Sequence, residues 1–138
     1  MTATIATYDG AHFAGVERLW QTVFPDDPPW NAAAVAVPAK LAAQPDLLIV
    51  ALADGHVVGG IMAGWDGHRG WLYALAVLPS HRRQGIAKAL VEDAVARLER
   101  LGCGKVNLQV RAGNDAAVAF WRGLGFVVED RVSMGRRL

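Results

Sequence analysis

Residues 70–102 constrain the fold of this chain most, because they combine an apolar segment, a short basic loop and a long amphipathic segment. Residues 70–77 read GWLYALAV, and this run of aromatic and aliphatic side chains predicts a buried strand. From residue 84 onward, apolar side chains recur every three or four positions, which predicts a helix that Gly102 ends. The order is therefore strand, tight loop, helix.

The loop in this unit predicts an anion site. The first N–H groups of a helix lack partners within the helix, and the helix dipole places partial positive charge there, so a phosphate satisfies both. Gly85 lets the backbone approach a ligand closely, and Arg82 and Arg83 add charge. The patterns G-x-x-x-x-G-K-[ST] and G-x-G-x-x-G are absent here, which excludes two common nucleotide loops.

A family pattern fits the same loop. Arg82, Gly85 and Ala87 match [QR]-x-x-G-x-[GA], and residues 114–126 supply a later helix opened by asparagine and closed by Gly-Phe. In these features the chain resembles the GNAT acyltransferases, whose acetyl-CoA loop has this pattern. Residues 66–70, Gly102-Cys103 and the basic C-terminal end are most similar to the YpeA type of bacterial acetyltransferase. The resemblance covers roughly residues 2–138 and is most specific over 65–126.

The expected fold class is α/β (α+β), a single GNAT domain over residues 1–138. The resemblance implies a mixed central sheet of six to seven strands and about four helices, with the first strands antiparallel. We predict helices over about 11–23, up to about 44 with a division or kink at Pro38, from 84 to 101, and after Asn114. Strands are predicted over 2–8, 47–52, 57–65, 71–77 and 105–110, with one or two edge strands in 126–128 and 132–134.

The resemblance also implies how acetyl-CoA would bind. Strands 71–77 and 105–110 would run parallel and splay apart, and the pantetheine arm would insert between them. Backbone groups of Leu75 and Val77 would bind the pantetheine amides, and N–H groups from Arg83 to Ala87 would bind the pyrophosphate. The implied cofactor residues are Leu75, Ala76, Val77, Arg82, Arg83, Gln84, Gly85, Ile86, Ala87, Asn114, Phe120 and Trp121. Two alternatives stay open: Asn114 is only a helix cap, and Phe120 is only a core residue.

Catalytic residues are not identified by the sequence. Trp121 occupies the position where many relatives have a tyrosine that protonates the leaving thiolate, and an indole N–H is not a useful acid near neutral pH. The strand over 71–77 contains no carboxylate, so the weak candidates are Tyr73 within it and Asp66 and His68 in the preceding turn. For Asp66 and His68, a turn-stabilising carboxylate and a surface histidine are the alternative interpretations.

The expected function is transfer of an acetyl group from acetyl-CoA to a primary amine of a small molecule or peptide. By resemblance, the amine would attack the thioester directly in a ternary complex, and the Val77 amide would stabilise the oxyanion. Trp30 and Asn31 are candidate substrate residues, since the first two helices and their loop flank the acceptor cleft in the family. For Trp30, a tryptophan that anchors this loop to the core is the alternative interpretation. The alternative is a CoA-binding or acyl-CoA-binding sensor module with weak or lost catalysis.

Composition limits the partners. The net charge of +1 gives no long-range preference for nucleic acid or membranes, so neither is expected as a partner. No signal peptide or membrane span is predicted, and the single cysteine, Cys103, suits a cytoplasmic location and is expected to be a packed residue. The four histidines show no metal-ligand spacing, so no metal is expected. The predicted oligomeric state is a monomer or a homodimer.

Overall fold

The computed structural model describes residues 3–138, which form a five-stranded mixed sheet and four α-helices. Thr2, which the sequence places in the first strand, lies outside the described residues. The strands are β1 (Thr4–Thr7), β2 (Leu48–Ala53), β3 (His56–Trp65), β4 (Gly70–Val77) and β5 (Val106–Asn107). The helices are α1 (Phe13–Val23), α2 (Ala33–Ala43), α3 (Ile86–Arg100) and α4 (Asp115–Gly123).

The strands follow one another across the sheet in chain order, β1-β2-β3-β4-β5. The first four are antiparallel and β5 is parallel to β4, as predicted. Asp54 and Gly55 join β2 to β3 with φ values of 51° and 77°, the backbone of a tight two-residue hairpin. Asp9 opens the first helical segment, because its carboxylate accepts the Ala11 N–H at 2.8 Å.

Helices cover both faces of the sheet. Side chains of α1 and α2 form one apolar cluster with alternate residues of the strands, among them Leu48, Val50 and Ala76. Neighbouring glycines of β3 show the two faces: a Cβ on Gly60 would approach Leu19 of α1, whereas a Cβ on Gly59 would approach Leu90 of α3. The core is therefore divided into two layers by the sheet.

Several predicted elements differ from the structure. The sheet has five strands and not six or seven, because residues 126–128 and 132–134 form no strand. Strand propensity needs a neighbouring backbone and burial to take effect, and Val127, Val128, Val132 and Met134 are all largely exposed. The strand predicted over 105–110 is limited to Val106–Asn107. Helix α2 runs undivided through Pro38.

Contacts within the chain separate it into two compact units, one ending at Leu108 and the other spanning Gln109–Leu138. The single domain over residues 1–138 thus stays a prediction. The first unit contains the complete sheet and α1 to α3, and the second contains α4. No helix among residues 3–138 is long and apolar enough to cross a membrane.

Candidate functional site

The edge of β4 that faces β5 is paired only at its start. Gly70 pairs with Val106 and Trp71 pairs with Asn107, and β5 then ends. On its other edge, β4 pairs with β3 as far as Val77. Among the residues described, the edge of β4 from Leu72 to Val77 therefore has no paired strand on this side, and this unpaired edge is here called the gap beside β4. Splaying of the two strands stays a prediction.

A β-bulge lies in β4 next to this gap. Met62 pairs with Tyr73 and Gly60 pairs with Ala76, so two residues of β4 oppose one of β3. Within the bulge Ala74 has φ 53°, a left-handed conformation that alanine rarely adopts. Such backbone strain is concentrated at functional sites, and bulges re-aim the neighbouring groups of a strand.

In a strand, the backbone N–H groups point alternately to the two sides, and this alternation fixes their direction in β4 after the bulge. The Leu78 N–H donates to the Val58 carbonyl at 2.8 Å, so the amides of residues 78 and 76 face β3. Successive residues of an antiparallel strand direct their amides to opposite sides. By this alternation Val77 directs its N–H group away from β3, whereas Leu75 lies in the bulge, where alternation is interrupted. Contact of either residue with pantetheine stays a prediction.

The loop after β4 contains two residues with a left-handed backbone. Arg83 and Gly85 both have left-handed conformations, with φ values of 62° and 79°. Alternation of left-handed and other conformations turns successive N–H groups toward one point. A Cβ on Gly85 would meet no atom within 4 Å, so glycine is needed there for its conformation and not for space.

Side chains fix this loop between strand and helix. The Arg82 Nε donates to the Val77 carbonyl at 3.1 Å, which ties the loop back to the end of β4. Ile86, the first residue of α3, is 1% exposed and anchors the helix start in the core. The predicted residues Leu75, Ala76, Val77, Arg82, Arg83, Gln84, Gly85, Ile86 and Ala87 thus form one continuous strand-loop-helix segment.

The other predicted cofactor residues lie in the second unit. Asn114 caps α4, since its Oδ1 accepts the Ala117 N–H at 3.1 Å. Phe120 and Trp121 make an edge-to-face contact, and Trp121 makes a second one with Phe126, each with ring centroids 5.2 Å apart. The capping role of Asn114 is confirmed. Cofactor contact by these three residues stays a prediction.

The weak catalytic candidates divide into two kinds. Asp66 accepts the N–H groups of His68 and Arg69 at 2.7 and 2.8 Å, so it stabilises its turn as the alternative interpretation expects. These two hydrogen bonds lower the pKa of Asp66, and the bond from Arg69 has the larger effect. Tyr73 is 49% exposed and stacks on Trp71. Burial, with a smaller effect of the Asp66 charge, raises the pKa of Tyr73, so the phenol keeps its proton at neutral pH.

Other predicted residues have simpler environments. Trp30 lies in a short 3-10 helix after α1 and is 47% exposed, and Asn31 donates to Asp27 at 3.4 Å. Cys103 is a free, buried thiol that donates to the Lys105 carbonyl, as expected of a packed residue. Among the residues described, no group of three or more His, Cys, Asp or Glu side chains is placed to hold a metal ion.

Comparison with known proteins identifies the family and the fold. A family model described as "Acetyltransferase (GNAT) family" matches residues 13–126. Acetyltransferase SG1711 of Sodalis glossinidius is 44% identical over 111 residues, which are 80% of this chain and 78% of the relative. A crystal structure of the NatC complex bound to Gag peptide and CoA matches with TM-score 0.80 and 27% identity, over 95% of this chain and 88% of that one. Ard1 from Thermoplasma volcanium matches with TM-score 0.83 and 25% identity, over 94% and 85%.

These matches place the protein in the class of N-acetyltransferase enzymes. The chain belongs to the GNAT family of acetyltransferases, and the resemblance seen in its sequence is confirmed. The more specific similarity to the YpeA type stays a prediction.

Two features of the site were not found from the sequence. The first is the bulge, because alanine at position 74 gives no sign of a left-handed backbone. The second is Lys40, whose ammonium lies on the same face of the sheet as Tyr73. Lys40 sits in a predicted helix with no motif around it, so only the tertiary contact reveals its position.

Proposed function

We propose that this chain transfers an acetyl group from acetyl-CoA to a primary amine of a small molecule or a peptide. The observation that carries the proposal is the gap beside β4, which leads directly into the left-handed loop at Arg83 and Gly85. The solved NatC complex, similar in fold and sequence, contains both CoA and a peptide. We also propose a cytoplasmic location, which a single cysteine without a disulfide partner supports.

The chain's own backbone would provide most of the binding. N–H groups from Arg83 to Ala87 and the start of α3 would hold the pyrophosphate, and Arg82 and Arg83 would add charge. Leu75 and Val77 would bind the pantetheine amides in place of a neighbouring strand. Asn114, Phe120 and Trp121 are proposed as further cofactor contacts from the second unit.

The proposed reaction is a direct displacement. The nitrogen of the neutral amine forms a bond to the thioester carbonyl carbon, and the carbon–sulfur bond breaks. The Val77 N–H would stabilise the negative charge on the carbonyl oxygen. The amine loses one proton and the departing thiolate gains one, so the products are an amide and the thiol of CoA.

Proton transfer would involve groups near the bulge. Tyr73 keeps its phenolic proton at neutral pH and can donate a hydrogen bond. Asp66 and His68 are proposed to accept the proton of the amine through water. The Asp66 carboxylate also stabilises its turn. Trp121 cannot supply the acid that a tyrosine would supply. We therefore expect slow chemistry, with thiolate departure assisted by water.

The loop is tested with a matched pair of substitutions at Gly85. Asp and Asn have the same shape and both tolerate a left-handed backbone, but only Asp adds a negative charge. Wild-type protein at 100 times Kd of acetyl-CoA should gain ~2.7 kcal/mol of stability in a thermal-shift assay. Gly85→Asn should keep most of this gain and Gly85→Asp should lose it, because aspartate repels the pyrophosphate.

The same thermal-shift assay can also contradict the role of the loop or the proposed function. Equal losses in the Asn and Asp variants would show that charge at this loop does not matter. A wild-type protein that acetyl-CoA fails to stabilise would contradict the proposal itself. Release of the CoA thiol with a panel of amines then measures turnover.

A further inference from the structure

Lys40 has a partly buried ammonium that forms no ion pair with any residue in the part of the chain that the structure describes. Its Nζ donates to Gln44 Oε1 at 3.3 Å, and burial lowers the pKa of the ammonium. The ion pairs found among residues 3–138 involve other residues and not Lys40. A cation that has lost part of its hydration is stabilised by an anion.

The Lys40–Gln44 hydrogen bond does not explain why a lysine stands here. Gln44 is already fixed by the backbone of Trp65, donating to its carbonyl at 2.8 Å and accepting its N–H at 3.1 Å. This two-bond contact ties the end of α2 to β3 without Lys40. The lysine is therefore available for another partner.

Lys40, Gln44 and Tyr73 surround Gly64 on one face of the sheet, and this group, together with Trp71, is here called the Gly64 niche. A Cβ on Gly64 would lie 3.6 Å from Tyr73 Cε2, 3.9 Å from Gln44 Oε1 and 4.0 Å from Lys40 Nζ. These are ordinary contact distances, so the three side chains converge on the position that a side chain at residue 64 would occupy. Glycine within a strand often marks a position where a ligand approaches the backbone.

The niche lies beside the proposed reaction centre. Trp71 is directly opposite Gly64 in the β3–β4 pairing, and its ring stacks on Tyr73 with centroids 6.5 Å apart. Tyr73 immediately precedes the bulged Ala74. Tyr73 also experiences the negative charge of Asp66. Charges of both signs, from Lys40 and Asp66, therefore act near one aromatic surface.

We infer that the acceptor is an amine that also carries a carboxylate, and that Lys40 binds this carboxylate in the Gly64 niche. The inference rests on the proposed function, since it assigns the substrate class of that same site. Asp66 would attract the amine end of such a molecule, and Trp71 and Tyr73 would contact its apolar part. Free amino acids and acidic peptides share this chemistry, whereas polyamines and aminoglycosides would be repelled by Lys40.

The test compares acids with their matching amides as acceptors. Glycine and β-alanine are assayed beside glycinamide and β-alaninamide, which lack the carboxylate, with spermidine as a cationic acceptor. Peptides with an amidated C-terminus and Glu or Gln at the second position distinguish a peptide source of the carboxylate from a free amino acid. Wild-type enzyme should have the lower KM for the member of a pair that carries the additional carboxylate.

Substitutions at Lys40 then assign the preference. Lys40→Met should raise KM for the preferred acids at least about tenfold, the scale of one lost charge-assisted hydrogen bond, and leave KM for the amides and the acetyl-CoA affinity unchanged. Lys40→Arg should retain most of the preference. Gly64→Ala, which fills the niche at ordinary contact distances, should raise KM for the acids while Lys40 remains.

Equal KM values for acids and amides, or a preference for spermidine, would overturn the inference. Equal losses for acids and amides in Lys40→Met would show a merely structural role. Calorimetric titration of N-acetyl-β-alanine and N-acetyl-β-alaninamide into the CoA complex provides a readout without turnover. If no amine is acetylated, the proposed function fails. The niche would still be supported if the wild-type protein binds N-acetyl-β-alanine and Lys40→Met abolishes that binding. Equal binding of the acid and the amide would exclude it.

Discussion

At the scale of single residues, Gly70 determines how closely α3 and β5 approach β4. A Cβ there would lie 2.7 Å from the Cys103 Sγ and 3.1 Å from Leu98 Cδ1. The Gly70 N–H also donates to the Lys105 carbonyl at 3.0 Å, next to the first β4–β5 pair. A side chain at residue 70 would therefore require Cys103 or Leu98 to move.

Gly70→Ala should destabilise the fold by about 1–3 kcal/mol, the usual cost of overpacking a core, measured by urea unfolding. Gly104→Ala is the control, because a Cβ there would meet nothing within 4 Å. The double variant Gly70→Ala/Cys103→Gly should recover part of the loss. No recovery would indicate that Cys103 is not the obstacle.

Asp66 gives a prediction about pH. Its pKa is lowered in the folded state from an ordinary value of 3.8, because the backbone N–H groups of Arg69 and His68 bond the charged form. A carboxyl group whose folded pKa is lowered contributes stability above its unfolded pKa and loses it as the pH falls through the folded pKa. Asp66 should therefore stabilise the fold at neutral pH and not in acid.

Asp66→Ala should be less stable than wild type at pH 7, and the difference should shrink below about pH 4. Urea unfolding over this range measures it, with Glu99→Ala as a control for an exposed carboxylate on α3. A difference that stays constant with pH would mean that the charge of Asp66 contributes nothing.

At the scale of elements, Arg97 connects α3 to two other parts of the chain. Its Nε pairs with Asp93 Oδ2 at 2.7 Å within the helix. Its Nη1 donates to Thr7 Oγ1 of β1 at 2.7 Å and to the Asp46 carbonyl at 2.8 Å, just before β2. The Arg97 side chain is 17% exposed, and its bond to Asp93 is partly buried, whereas the two bonds from Nη1 lie at the surface.

Arg97→Met should therefore lower the free energy of unfolding by about 2 kcal/mol, since hydrogen bonds to charged groups contribute more than neutral ones. Arg100→Met, an exposed position in the same helix turn, should change it little. Because Arg97 lies near the other end of α3 from Gly85, its loss should leave acetyl-CoA affinity unchanged. A large change in that affinity would contradict this separation of fold and site.

At the scale of the whole molecule, the segment from β2 to α3 was predictable from residue patterns. Alternation and apolar runs indicated the strands, Asp54-Gly55 indicated the hairpin, and helical periodicity indicated α3. These signals are local, because each depends on neighbouring residues in one element. The strands predicted over 126–128 and 132–134 were wrong, because apolar residues form a strand only if another strand pairs with them, and a local pattern does not show whether one does.

The sequence by itself determined the family through its motifs, and it determined the strand-loop-helix order because that order depends on short-range backbone preferences. Only the tertiary structure determined where β4 and β5 part, the left-handed backbone at Ala74 and the approach of Lys40 to Tyr73. Those features arise from pairing and packing between segments that are distant in the chain. No local pattern of side chains encodes such contacts.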